Sequence, residues 1–252
     1  MSILTPKAEL YSKLNRRTSP VITFTSKHIN IVVGSCIIVV ILVLAVFAGL
    51  FAAESPLQVN VDDQLIPPGR EHVFGTDMMG RSVFARVLYG GRISLLVGIA
   101  VTFVSGGIGF FIGMIAGFSR WFDRIIMRIM DGLMAIPGIL LAIALMSVTR
   151  PSVGNVILAV SIPFIPRVVR LIRSLVLSLR ERLFVESAFS SGAKVMRVIF
   201  VHLLPSTLPP LAVQTTYIFA RAIVTESYLS FLGAGTPPDI PSWGGILSLI
   251  HI

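Results

Sequence analysis

Long uncharged runs alternate with short charged ones along this chain. No Asp, Glu, Lys, Arg or His occurs from Ile29 to Ala53, nor from Ile93 to Ser119. Each run exceeds the roughly 20 residues that a helix needs to cross a bilayer. Three further apolar stretches follow, at about Ile125–Val148, Val153–Val169 and Leu208–Thr225. The pattern predicts an all-α integral membrane protein with five transmembrane helices, the first over residues 29–53. In the second, Gly106, Gly109, Gly113 and Gly117 recur at helical spacing. Small residues on one face let helices approach closely where lipid supplies no drive to associate, so these form a predicted packing stripe. No apolar run within the chain stands out as its partner, which points to a second subunit. Pro137, Pro163 and Pro166 fall inside the third and fourth spans. Prolines there imply bent helices lining a path rather than straight anchors.

The segment Arg167–His202 is polar yet rhythmic. Leu175, Leu179, Leu183 and Val185–Phe189 repeat at helical spacing up to Ser191, and Gly192 interrupts. Val195, Val198, Ile199 and Val201 resume the rhythm until Pro205, which is expected to stop it. Helix, Gly turn and helix make a rigid hairpin on the membrane face, suited to receiving a push from a partner. The plainer alternative is a solvated basic loop that only sets topology.

Composition excludes several classes. The chain is 54% hydrophobic and 13% charged, too little polar surface to cover a soluble core. The net charge of +9 would fit a nucleic-acid binder, but the basic residues lie between apolar runs instead of on one soluble face, so no nucleic-acid partner is expected. Cys36 is the one cysteine, which rules out an intrachain disulfide or a thiolate cluster. His202 and His251 have no ligand-spaced companions, and no metal site is expected. Trp121 and Trp243 flank spans as interface anchors.

The basic residues also set orientation. Segment 1–28 is basic and lacks the short apolar core and cleavage site of a signal peptide, so span 29–53 is retained. With the N-terminus inside, the basic segments 1–28, the Arg120 turn and 167–202 all fall in the cytoplasm. The near-neutral loop 54–92 and the tail 233–252 fall outside. The division is a cytoplasmic segment 1–28, a first helix 29–53, a periplasmic loop 54–92, a core domain 93–232 with a coupling loop at about 170–205, and a periplasmic tail 233–252.

The hairpin carries a resemblance. Glu186-Ser187-Ala188, three residues, Gly192, and then Leu204-Pro205 resembles the EAA loop of ABC-type import permeases. That pattern is Glu-Ala-Ala, three residues, Gly, nine residues, then Ile, any residue and Leu-Pro. Ser187 replaces an Ala, and His202 stands where the Ile would be, as in the peptide-transporting branch. Phe74-Gly75-Thr76-Asp77, Gly80-Arg81-Ser82, Arg86 and Tyr89–Leu95 resemble the loop before the second span of the second permease in dipeptide, oligopeptide and nickel importers. Thr225–Gly233 with Pro237-Pro238, Pro241 and Trp243-Gly244 resembles the region after its fifth span. The resemblance covers about Phe74 to Leu247. It implies a type I ABC importer permease fold, half of a pore for peptides or a similar small solute. It also implies a homologous second permease, two cytoplasmic ATPase subunits and a periplasmic solute-binding protein as partners. Arg182, Glu186, Ser187, Ala188, Gly192, His202, Leu204 and Pro205 would couple to the ATPases. Gly75, Thr76, Asp77, Gly80 and Arg81 would form the motif before the second span. ATP and magnesium would act on the partners, since this sequence has no Gly, four residues, Gly-Lys-Ser/Thr run to cradle phosphates. The family carries six spans, and the sixth is absent from residues 233–252 by length and composition.

Asp131, Arg221 and Glu226 are ionisable at membrane depth, where charge is costly and usually functional. Asp131 is expected to pair locally with Arg128, and Glu226 with Arg221. An ion-coupled secondary transporter using Asp131 and Glu226 is the alternative; it requires internal repeats with paired broken helices, and none is apparent. A non-transporting scaffold would need neither the hairpin nor the bent spans.

Overall fold

The computed structural model describes residues 29–52 and 54–250. The basic segment 1–28, Ala53, His251 and Ile252 lie outside the described residues. The chain divides into two units, Met1–Phe47 and Ala48–Ile252. The first contributes helix α1, Ile29–Val46, most of whose side chains are exposed, as on an apolar helix facing lipid.

The second unit opens with a short helix, α2 (Ala48–Phe51), and then a loop that ends in an isolated bridge between Thr76 and Ser82. Its frame is α3 (Val83–Phe118), α6 (Val153–Ser161) running through a 3-10 turn into α7 (Ile165–Arg180), and α10 (Leu204–Phe231). Among the described residues, four helical runs are long and apolar enough to cross a membrane: Ile29–Val46, Val83–Phe118, Val153–Arg180 and Val195–Phe231. A fifth forms if α4 (Arg120–Ala135) and α5 (Gly138–Val148), bent by 90° at their junction, cross together. The bend has a local cause. Ile136 precedes Pro137, whose ring disfavours helical backbone before it, and Ile136 is extended at φ −93°, ψ 129°. The break packs on the Pro163 turn, with a Cβ on Gly138 only 3.1 Å from the Pro163 Cβ.

Helix ends differ from the apolar runs that announced them. α3 starts at Val83, well before Ile93, because Ser82 caps it by accepting from the Ala85 N–H. Tyr89–Leu95 is therefore helix and not loop. Residues 170–180, assigned to the coupling loop, are the end of α7. Pro205 does not stop the second hairpin helix. A π-helical turn, Ile199–Leu203, widens the backbone ahead of it, so the missing N–H and bulky ring are accommodated and the helix continues through Pro209 and Pro210. In the tail, Trp243–Ile250 forms a further helix, α11.

The glycine stripe packs within this chain, which corrects the expectation of a partner elsewhere. A Cβ on Gly109 would lie 2.5 Å from Val168 Cβ, one on Gly113 2.7 Å from the Val169 carbonyl, and one on Gly117 2.5 Å from Val176. Glycine at these positions lets α3 and α7 touch backbone to side chain. Val97, Val101, Val156, Val160, Ile172, Ile218 and Leu229 fill the core between α3, α6, α7 and α10.

Candidate functional site

The hairpin consists of α8 (Leu183–Ser190), a turn at Gly192 and α9 (Val195–Val198) leading into the π turn. α8 ends in a Schellman motif. The Ala193 N–H donates to the Ala188 carbonyl at 3.0 Å and the Gly192 N–H to the Phe189 carbonyl at 2.9 Å, with Gly192 at φ +85°. Ala188 and Ala193, the two residues that accompany this closure, both pack against the core. The small residue at Ala188 and the Gly four positions later thus follow from one backbone turn. Val185, Val198 and Leu203 are buried and anchor the hairpin. Leu183, Phe184, Phe189, Met196 and Phe200 stay exposed beside Arg182, Glu186, Ser187, Lys194 and Arg197. Ala188, Gly192, Arg197 and His202 line a cleft of about 270 Å³ inside the hairpin, and Phe184 leans on the His202 ring. Leu204 and Pro205 begin α10 at its root.

At the other end of α3, residues 75–81 are tightly knotted. Asp77 Oδ1 accepts from the backbone N–H of Met79 and Arg81 at 2.8 and 3.0 Å, and Oδ2 accepts from Arg81 Nε at 2.8 Å. Arg86 Nε lies 3.9 Å away, also buried. Thr76 Oγ1 accepts from the Ile66 N–H and donates to the Asp63 carbonyl. Gly75 and Gly80 have φ of +72° and +68°, and a Cβ on either would collide with the Ile66 or Asn60 carbonyl. These five motif residues come together as one folded loop, 181–204 lying far off at the opposite end of the helices.

The charged residues within the spans take partners that spacing did not reveal. Asp131 pairs with Arg170 at 2.6 Å and not with Arg128. Asp123 pairs with Arg173, and Arg180 donates to the Gly117 carbonyl at 3.1 Å, so the exposed and half-buried arginines of α7 clasp α4 and the end of α3. Glu226 is fully buried and accepts from Ser94 and Ser230 at 3.2 and 2.7 Å, in place of an ion pair with Arg221. Ser230 continues through Thr236 to Ser242, and the Trp243 N–H donates to Ser94. Trp243 Nε1 donates to the Val87 carbonyl, so this tryptophan ties α11 to α3. A run of Ser and Thr around Glu226 was the available signal for this network. Neither carboxylate stands free as an ion-coupling group.

Residues 109–251 match the family model described as binding-protein-dependent transport system inner membrane component. A probable peptide ABC transporter permease of Sinorhizobium fredii is 46% identical over 248 residues, 98% of this chain and 84% of that protein. The dipeptide transport system permease of Alkalihalophilus pseudofirmus is 43% identical over 220 residues, 86% of this chain and 72% of that one. A chain of an inward-facing methionine ABC transporter aligns over 57% of this chain and 74% of its own, at 23% identity and a TM-score of 0.46. With a matched family model, close relatives along nearly its whole length and helices built for lipid, this chain belongs to the binding-protein-dependent transport family and is an inner-membrane permease subunit of an ABC importer.

Proposed function

We propose that this permease forms half of a translocation pore for di- or oligopeptides and takes its power stroke through hairpin 181–204. Cytoplasmic ATPase subunits would grip the hairpin, a homologous permease would complete the pore, and a periplasmic binding protein would deliver solute. The N-terminus is cytoplasmic in this reading. The observation that carries it is the hairpin surface. An apolar patch rimmed by charge, held on buried Val185, Val198 and Leu203, is what a docking helix presents to a groove. Peptide as substrate rests on the relatives, whose names include peptide and dipeptide permeases.

Glu186→Lys tests it. Glu186 is exposed on α8, and its side chain has no hydrogen-bond or ion-pair partner among the described residues. The variant is expected to insert in the membrane normally and to lose peptide uptake, with ATPase subunits no longer co-purifying at wild-type stoichiometry. Wild-type uptake and co-purification would remove the hairpin as the docking element.

A further inference from the structure

We infer that the cavity at the α4–α5 bend is a waypoint where the pore holds a carboxylate of the passing solute, on the guanidinium of Arg221 with Arg167 beside it. The inference rests on the reading of this chain as half of a pore. The cavity is about 360 Å³ and is walled by Pro137, Pro163, Arg167, Arg221, Thr225 and Tyr228. A space of that size holds a small solute.

Both cations are uncompensated. Arg221 is exposed and its side chain has no hydrogen-bond or ion-pair partner among the described residues. Arg167 donates to the neutral Tyr217 hydroxyl at 3.3 Å. The carboxylates within the spans are engaged elsewhere, Glu226 by two serines and Asp131 by Arg170. At a rise of about 1.5 Å per residue, Arg221 sits about 15 Å inside the C-terminal end of α10, and Arg167 about 21 Å inside the N-terminal end of α6. Against a hydrocarbon core of about 30 Å both are near the membrane centre, where an arginine facing lipid is strongly disfavoured. They therefore face a watery path.

The path can be traced. Tyr217, Arg221, Thr225 and Tyr228 recur at helical spacing and form one polar stripe along α10. Arg167, Arg170 and Ser174, all exposed, continue it along α7. A guanidinium offers a planar fork that matches a carboxylate with two parallel hydrogen bonds, and it keeps its charge in any environment. A peptide carries one such group at its C-terminus. The stripe is otherwise neutral or basic down to Asp131, so that terminus is the part of the solute the cavity selects.

The test uses the complete transporter in proteoliposomes, with Cys36→Ser so that this chain has no other thiol. In Arg221→Cys, the anionic sulfonatoethyl methanethiosulfonate is expected to label faster than its cationic trimethylammonium analogue, by on the order of tenfold relative to the same pair of rates at Arg70→Cys in the loop. Adding Arg167→Gln should erase that preference. Separately, maximal uptake of alanyl-alanine should exceed that of its C-terminal amide in wild type, and Arg221→Gln should level the two while Arg221→Lys restores part of the difference. Slow labelling without charge preference would mean that Arg221 pairs with an acidic group of another subunit, and would overturn the waypoint. So would an unchanged acid-to-amide ratio in Arg221→Gln, although dipeptide uptake by wild type would leave the peptide reading intact. A strong anionic preference in a transporter that moves neither dipeptide would uphold the cationic waypoint and remove the peptide assignment.

Discussion

At the residue scale the coupling hairpin depends on a backbone conformation that few residues adopt. Gly192 at φ +85° has no neighbour within 4 Å of an added Cβ, so a side chain there meets open space and only the dihedral objects. A β-branched residue is the worst case for left-handed backbone, whereas Asn visits it routinely. Gly192→Val is accordingly expected to open the Schellman closure, release the Ala188 and Phe189 carbonyls, and abolish uptake with normal membrane insertion. Gly192→Asn should retain most of the wild-type rate. Uptake assays alongside immunoblots of the membrane fraction check both. Equal loss in the two variants would mean that bulk in the docking groove, and not the dihedral, decides. Gly192 was legible as a break in the apolar rhythm. The pairing of Ala188 with Ala193 was not, because it runs through backbone atoms that no side-chain pattern advertises.

Helices in this chain are longer than their apolar portions, and that explains what a hydropathy reading found and what it missed. The apolar stretches located the parts of α1, α3, α6 and α10 that lipid or the core must cover. They could not show α3 beginning at Val83, because its first turns are set by the Ser82 cap and by burial of Arg86 beside Asp77. Nor could they show α7 reaching Arg180, because its last turns carry arginines whose partners, Asp123, Asp131 and the Gly117 carbonyl, are distant in sequence. The glycine stripe was visible as a stripe, but its partner α7 was hidden inside a segment read as a polar loop. The contact makes a sharp prediction. Gly113→Ala places a Cβ 2.7 Å from the Val169 carbonyl and 2.8 Å from Ile172 Cβ, while Gly107→Ala meets nothing within 4 Å. Overpacking of this kind typically costs about 1–3 kcal/mol. Thermal unfolding of purified protein in detergent should show Gly113→Ala clearly destabilised and Gly107→Ala unchanged or slightly stabilised, since alanine favours helix over glycine. Two equal melting temperatures would mean that α3 and α7 do not meet along this stripe.

For the whole molecule, the ends of α3 separate two chemically different surfaces. At its C-terminal end the fold gathers Arg120, Arg124, Arg173, Arg180, Arg182, Lys194 and Arg197, with Asp123 held by Arg173. At its N-terminal end lies the loop 54–82, where Arg81, with Arg86 of the first turn of α3, is turned inward on Asp77, and acidic Asp62 is exposed. The helix between them, at 36 residues, is about 54 Å long by its rise, more than enough to place the two surfaces on opposite sides of a bilayer. Basic residues near span ends favour the cytoplasmic side, so the seven cations predict that the C-terminal end of α3 is the cytoplasmic one. The orientation can be read directly, because Cys36 is the one native thiol and Cys36→Ser clears the background. In that background, Arg70→Cys in intact cells should react with a membrane-impermeant maleimide once the outer barrier is opened. Lys194→Cys on the exposed hairpin should react only after the inner membrane is broken. The two sites act as each other's control, since both are exposed in the fold and differ only in the side they face. Labelling of Lys194→Cys from outside would invert the topology, set the hairpin beyond the reach of any cytoplasmic ATPase, and remove the coupling role proposed for it.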